Sequence, residues 1–370
     1  MDELSFPFAE GPRPDGELID VAPGIKWLRM PLPLALDHIN LYLLRDVEGW
    51  LLVDTGIGDM RTRGLWEQLL AGPLAETRIT GVLCTHHHFD HAGQAGWLTE
   101  RLDVPFLISH GEYYTLRVLA QHTQQGDELP RVHRQFFHRS GLPEDRLPAI
   151  HAMLCAAGQL VTPPPAAFHR LRHGEHLMLG ERCWQLHLGE GHVVEHMLLH
   201  CAEEGALIAG DQLLPRITSN VSVLPTEPDA DLLSGWFDSL DRLSALPDDT
   251  LVLPAHDLPY RGLRARVKQL REHHARQFDT LLQLCAAEAL TPFAAAQRLF
   301  SHRSLQDPMA EMMAMGECLA HLIHLQRRGE MTCTLDAEGR WRYRSAPAGS
   351  AGCRTTTGKS RWLRSEISCQ

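Results

Sequence analysis

Seven side chains of metal-binding type fall in one order along this chain: His86, His88, Asp90, His91, then His192, Asp211 and His256. Four of them crowd into the run from Thr85 to His91, which carries the pattern H-x-H-x-D-H. Side chains at i, i+2, i+4 and i+5 cannot share one face of a strand, with its period of two, or of a helix, with its period of 3.6. They converge when a loop carries them, and a cation is the usual reason for a chain to spend so many polar groups in one place. The chemistry expected of such a set is metal-dependent hydrolysis. His87 lies between two of the seven and is not expected among them. His196, four residues after His192, is expected in strand packing or behind a ligand. His38, within Asp37-His-Ile-Asn40, is a candidate to face the metals from a neighbouring loop, and Asp257 beside His256 reads as structural.

These residues need a frame. Residues 25–32, 38–45 and 49–54 read as strands, and the last, an apolar run from Trp50 to Asp54, stops at the turn-forming Thr55-Gly56-Ile57-Gly58. Residues 79–85 form another buried strand that runs straight into the histidine loop. Helices at 61–71 and 92–101 and a strand at 104–109 complete an alternation that favours an α/β domain. Further strands at 182–188, 196–201, 205–209 and 250–254 lead to His192, Asp211 and His256, so the ligands sit at strand ends, projected by loops from a rigid frame. Residues 111–175 read as an insertion of helices and loops over the site. Beyond residue 262 the apolar spacing turns helical, through Leu263, Val267, Leu270, His274, Phe278, Leu281 and Cys285. A short helix at 291–301, with Thr291 as its cap and Pro292 in its first turn, and another at 309–327 follow. A hairpin at 331–335 and 340–344 ends the pattern, and the layout is that of a small winged-helix unit. The Ala/Gly/Ser/Thr-rich tail from 346 to 370 is expected to be disordered.

The Thr85–His91 run with Ala92-Gly93 after it, Asp54-Thr55-Gly56, Gly191-His192, Gly210-Asp211 and Ala255-His256 stand in one order. In that order the chain resembles the metallo-β-lactamase superfamily. The C-terminal part is similar to the winged-helix extension of a branch that includes glyoxalase II and lactamase-like protein β2 relatives. The resemblance implies an αββα sandwich over residues 1–262 with metals at one edge, followed by a linker helix and a small winged-helix α+β domain over 263–345. It also implies that His86, His88 and His192 hold one cation, that Asp90, His91 and His256 hold a second, and that Asp211 bridges them. The pair would be Zn²⁺, with Fe or Mn as alternatives, and a hydroxide activated between the cations would attack the substrate. Asp90 would orient that nucleophile or take its proton. Asp54 matches the family carboxylate that accepts the second N–H of a ligand histidine.

Composition narrows the rest. The chain has 370 residues, 44% hydrophobic and 22% charged, the balance of a soluble globular protein with one large and one smaller domain. No stretch approaches the roughly 20 apolar residues of a membrane span, and the start Met1-Asp2-Glu3-Leu4 lacks the basic and apolar parts of a secretory signal. The nine cysteines are scattered, which reads as reduced thiols and a cytoplasmic location. A net charge of −11 disfavours general nucleic-acid binding. Of the 23 histidines, His133, His138, His273, His274 and His302 sit among charged residues and are expected in solvent.

Within the family, secreted β-lactamases carry cysteine where this chain has Asp211, and the flavodiiron branch carries Glu where it has His88. Neither pattern is met here. Thioesterases of the glyoxalase II type, lactonases and phosphodiesterases remain. The loop from Gln212 to Asn220 follows a ligand directly, and Arg216 there is a candidate contact for a carboxylate or phosphate on the substrate. Tyr113 is a candidate contact from the 111–175 segment. The expected activity is therefore hydrolysis of a thioester, ester or lactone of a small molecule. The alternatives are a phosphodiesterase or endoribonuclease, a persulfide-oxidising enzyme with a single iron, and a metal-binding regulatory protein. The 309–327 helix is apolar and acidic, so it reads as packing or homodimer surface and not as a phosphate contact.

Overall fold

The computed structural model describes residues 3–33, 36–121, 128–301 and 307–347. The expectations for His302 and for the tail beyond residue 347 fall outside them. Two compact units are present. The first takes in residues 1–129, 147–221 and 234–274, and the second 130–146, 222–233 and 275–370. The segment 111–175 is therefore divided: residues 130–146 count with the second unit and the rest with the first.

The first unit holds two mixed sheets. In one, β1 (Ile19–Ala22), β2 (Ile25–Pro31), β3 (His38–Arg45), β4 (Trp50–Val53), β5 (Ile79–Leu83), β6 (Phe106–Ser109) and β7 (His169–Leu171) lie in that order. It is antiparallel as far as β4 and parallel from β4 to β7. In the other, β8 (His176–Leu179), β9 (Arg182–Gly189), β10 (His196–Cys201) and β11 (Ala206–Gly210) form an antiparallel run, with β12 (Leu251–Pro254) added parallel to β11. The central strands β3, β4, β10, β11 and β12 are nearly continuous apolar runs because both of their faces are covered.

The period of two sorts their side chains between two cores. On β3, Ile39, Leu41 and Leu43 join the helix-side core, with Leu52 of β4, Val82 of β5 and Ile108 of β6. Tyr42 and Leu44 point the other way, and with Trp27, Leu51 and Val53 they meet Trp184, Leu186, Leu199, Ile208 and Leu253 of the second sheet. Burying each such side chain contributes roughly 1.5–3 kcal/mol. Helices α1 (Met60–Ala71), α2 (Phe89–Ala92), α3 (Ala95–Leu102) and α4 (His110–Gln121) cover the first sheet through Trp66, Leu69, Ala92, Leu98, Tyr113 and Leu116. Asp59 caps α1 by accepting the Thr62 N–H at 2.7 Å.

Three further helices belong to the frame. One is α5 (Arg131–Arg139), in the second unit; α6 (Leu147–Gln159) and α7 (Leu232–Ser244) were not legible in the periodicity. Helix α7 contains Gly235 and serines, weak helix formers. Its Ser239 hydroxyl accepts the Glu190 N–H at 2.9 Å beside the second sheet, a tertiary contact that offsets the poor propensity. Helix α8 (Leu263–Ala287) runs from the first unit into the second. His274, expected in solvent, is buried on α8 with its ring 5.5 Å from that of Phe237. Its place four residues after Leu270 and four before Phe278 sets it on the apolar stripe.

The second unit is built around α10 (Pro308–Arg327), with α9 (Pro292–Leu299) and the hairpin of β13 (Met331–Leu335) and β14 (Trp341–Ser345) against it. Thr291 caps α9, accepting the Ala294 N–H at 3.2 Å. From Glu311 to Leu325 every residue of α10 except Met313 is buried. Gly316 allows the Ser222 side chain and the Val223 backbone to approach: an added Cβ would lie 3.0 Å from the Val223 carbonyl oxygen. Among the described residues no helix is long and apolar enough to cross a membrane.

Candidate metal centre

The seven residues gather at one edge of the two sheets because each follows a strand end. Strand β4 delivers Asp54, β5 the run from His86 to His91, β9 His192, β11 Asp211 and β12 His256. The parallel pairs β4/β5 and β11/β12 stop together, so loops that are far apart in sequence open side by side. Sharp changes of direction are needed there. Asp54 and Asp257 take the left-handed conformation at φ 62° and 70°, uncommon for residues other than glycine but tolerated by aspartate. Gly210 does so at φ 49°, and a Cβ there would lie 2.5 Å from the His196 ring. Only glycine fits between His196 and Asp211.

Two clusters of donor atoms result. His86, His88, His192 and Asp211 form one, and Asp90, His91 and His256 the other, with the atoms of each within 4.8 Å of one another. Asp211 reaches both. Its Oδ2 lies 3.4 Å from His192 Nε2, while its Oδ1 lies 3.5 Å from both His91 Nε2 and His256 Nε2. Asp90 Oδ2 lies 3.5 Å from His256 Nε2 and 3.7 Å from His91 Nε2. Two donors bound tetrahedrally to one zinc at its usual bond lengths stand about 3.3–3.4 Å apart, so these spacings suit shared cations.

The rings are aimed from behind. His91 Nδ1 donates to Asp54 Oδ2 at 2.9 Å, His192 Nδ1 to the Asn220 carbonyl at 2.8 Å and His256 Nδ1 to the His38 carbonyl at 2.8 Å. A carbonyl can only accept, so Nδ1 of His192 and His256 carries the proton and Nε2 presents its lone pair to the cluster. Asp54 is itself held by the Thr85 N–H at 2.8 Å and the Thr85 hydroxyl at 2.9 Å.

Electrostatics follow from this crowding. Burial, reinforced by the neighbouring histidines, holds His86 and His88 well below the ordinary imidazole range, so both are neutral. Burial opposes the charge on Asp211, yet His256 and His91 keep its carboxyl well below the carboxylate range. His91 is opposed by burial too, but Asp54, Asp90 and Asp211 raise it well above the usual value. His91 Nε2, His192 Nε2 and Asp211 Oδ1 are buried with no hydrogen-bond partner. A buried polar atom left in that state costs about 1–3 kcal/mol, and cations at the two clusters would satisfy all three. The residues present therefore fit a binuclear metal site.

A model of the metallo-β-lactamase superfamily matches residues 34–256, and one of the metallo-β-lactamase-like C-terminal domain matches residues 278–346. The chain belongs to the metallo-β-lactamase superfamily. It is similar to a beta-lactamase domain protein from Burkholderia ambifaria, known from its crystal structure: 38% identity and a TM-score of 0.83, covering 93% of this chain and 97% of that one. It is 26% identical over 278 residues to the probable metallo-hydrolase YqjP of Bacillus subtilis, covering 74% of this chain and 84% of that protein. It is also 32% identical over 151 residues to a hydroxyacylglutathione hydrolase of Roseobacter denitrificans, 41% of this chain and 55% of that protein.

Around this superfamily centre the remaining candidates separate. His196 is fully buried behind Asp211, its Nε2 accepts the Asp211 N–H at 3.1 Å, and burial and His192 push its pKa down to about 3. It is a neutral acceptor that fixes the backbone of Asp211. His38 contributes its carbonyl to His256, while its ring pairs with Asp37 at 2.6 Å and accepts the Asp257 N–H at 3.2 Å. Both ring nitrogens are thus used within the protein and not toward a substrate. Tyr113 is in the core: its ring stacks on Phe168 at 3.9 Å, and its hydroxyl donates to the Pro165 carbonyl and accepts from Arg117. The expectation of a substrate contact there fails because the ring fills the helix-side core. Arg216 is largely exposed, pairs with Asp257 Oδ2 at 3.2 Å and lies over the Phe6 ring.

Several residues that shape the centre carry no motif. Asn40 donates through Nδ2 to the carbonyls of Pro254 and Asp257, and Arg29 donates to the Asp257 carbonyl and to Asn40 Oδ1. They hold the turn around His256 to β3. Glu112, buried and bonded to the backbone on both sides of the first cluster, is another. Nothing in the local pattern marks these positions, since their partners lie as far as 228 residues away.

Proposed function

We propose that this chain is a metal-dependent hydrolase that cleaves a thioester, or an ester or lactone, of a small-molecule substrate. The observation that carries this reading is Asp211, one carboxylate with one oxygen toward each of two donor clusters. Two divalent cations held there, Zn²⁺ by donor chemistry, would supply an activated water at neutral pH and polarise the substrate carbonyl. His86, His88 and His192 would hold the first, and Asp90, His91 and His256 the second, with Asp211 shared.

The protein groups have their own tasks. Asp90, at the second cluster, would orient the attacking water or take its proton. Asp54 keeps His91 in position, and His196 keeps Asp211 in position. Arg216, exposed in the loop after Asp211, suits an anionic group on the substrate. A cysteine nucleophile has no place in this scheme: Cys84, beside the ligand run, is fully buried and burial holds its thiol well above the ordinary range. A hydroxyacylglutathione is a thioester, so similarity to a hydrolase of that name supports the thioester class. The burial of α10 from Glu311 to Leu325, Met313 apart, supports a small-molecule substrate over nucleic acid, because those turns offer no charged face to a phosphate backbone.

The test is one preparation, purified without added metal, assayed for metal content and for turnover of acyl-glutathione, acyl-CoA, lactone and phosphodiester substrates. Two metals per chain with thioester or ester turnover is the expected result. Phosphodiester turnover alone, or a single iron with persulfide oxidation, would overturn the proposal.

A further inference from the structure

Glu112, in the first turn of α4, is fully buried and makes three charge-assisted bonds. Its Oε2 accepts the backbone N–H of His87 at 3.1 Å and the Nδ1–H of the His87 ring at 2.5 Å. Its Oε1 accepts the backbone N–H of Glu195 at 2.9 Å. His87 stands between His86 and His88, and Glu195 stands three residues after His192. The junction is reciprocated: the Glu195 carboxylate accepts the Gly111 N–H at 2.7 Å, and its carbonyl accepts the Ser109 hydroxyl at 2.7 Å. One carboxylate at the β6–α4 junction therefore spans the two loops that supply all three histidines of the first cluster. The bonds of Glu112 go to His87 and Glu195, and to neither His91 nor His256.

A buried carboxylate is a costly way to fill space, since ionised groups lose several kcal/mol of hydration. An apolar side chain would pack this position at less cost but could not accept bonds from both loops. From this placement we propose that Glu112 is a positioning residue for the first metal: it sets the separation of the 86–88 and 192–195 loops, so that His86, His88 and His192 are assembled before a cation arrives. The inference rests on the metal-centre reading above. It predicts an asymmetry between the two sites that a general packing role does not.

The test is titration of the metal-free protein with Co²⁺, whose visible absorption reports the geometry of its ligands. Wild type is expected to take two equivalents. Glu112→Gln has lost the charge and one acceptor. It is expected to bind one equivalent about 10- to 100-fold more weakly, the usual loss when a group supporting a ligand is removed, with altered absorption for that equivalent and none for the other. In a His256→Ala background, which disables the second cluster, the weakened equivalent should be the one that remains. Glu112→Asp keeps the charge but is too short to span both loops, so it should not restore wild-type affinity. Equal affinity in wild type and Glu112→Gln, or equal weakening at both sites, overturns the proposal. A wild type that binds no Co²⁺ overturns the metal centre itself and this inference with it. If Glu112→Gln does not fold, hydrogen exchange in metal-free wild type decides: the amides of His87 and Glu195 should be protected, and free exchange at either sinks the idea.

Discussion

A carboxylate with its two oxygens 3.4–3.5 Å from histidines of different clusters has a role that neither cluster can replace. Removing Asp211 would therefore affect both of the proposed cations, whereas removing His256 would affect one. Asp211→Ala is expected to purify with less than one metal per chain and no turnover, and His256→Ala with close to one; elemental analysis of the two proteins separates them. Asp54→Asn is a milder case. The amide that replaces the carboxylate can still accept from His91 but carries no charge, so metal affinity at the second cluster should fall about 10- to 100-fold, measured by competition with a chelator. All seven cluster residues could be read from residue type and order, because a cation restricts its ligands to few chemistries. Asn40, Arg29 and Glu112 could not, because a hydrogen bond to a distant backbone leaves no local pattern.

The junctions between strands and loops carry the strain that aims these side chains. Gly210→Ala would place a methyl against the His196 ring at a positive φ, so it should cost about 1–3 kcal/mol of stability and weaken metal binding, read from urea unfolding and Co²⁺ titration. A second effect lies away from the centre. On neighbouring strands β9 and β10, His187 and His200 each bury an Nε2 that has no hydrogen-bond partner, with their ring centroids 6.1 Å apart. Burial, His200 and His173 push His187 down to about 4. Its folded pKa is below the unfolded value of about 6.5, so the unfolded chain binds more protons between those values. Stability should thus fall as pH drops from 6.5, with the loss complete below about 4. In the presence of a chelator, the urea midpoint should drop less between pH 7 and pH 5 in His187→Gln than in wild type. An identical drop in both would show that His187 does not carry the effect. Most strands were legible because alternation and apolar runs report burial directly. Helix α7 was not, because its glycine and serines are tolerated only by contacts with the second sheet.

At the scale of the whole molecule, the two apolar cores contain none of the seven cluster residues. Stripping the metal should therefore leave the secondary structure intact at 25 °C while lowering the melting temperature, since a cation at 100 times its dissociation constant stabilises by about 2.7 kcal/mol. Circular dichroism and thermal melts with and without chelator check both halves, and loss of secondary structure on chelation would mean that the metal holds the fold. The chain's order of ligands, its strand–helix alternation and its helical C-terminal texture follow from residue type and spacing alone. Those properties are local: a strand records its burial every second residue, and a ligand set is recognised by its side chains. The spacing of the donor atoms, and why Tyr113 and the His38 ring turn away from the site, were decided only when β4, β5, β11 and β12 ended at one edge. Each of those outcomes depends on distances between segments far apart in the chain, and packing sets such distances.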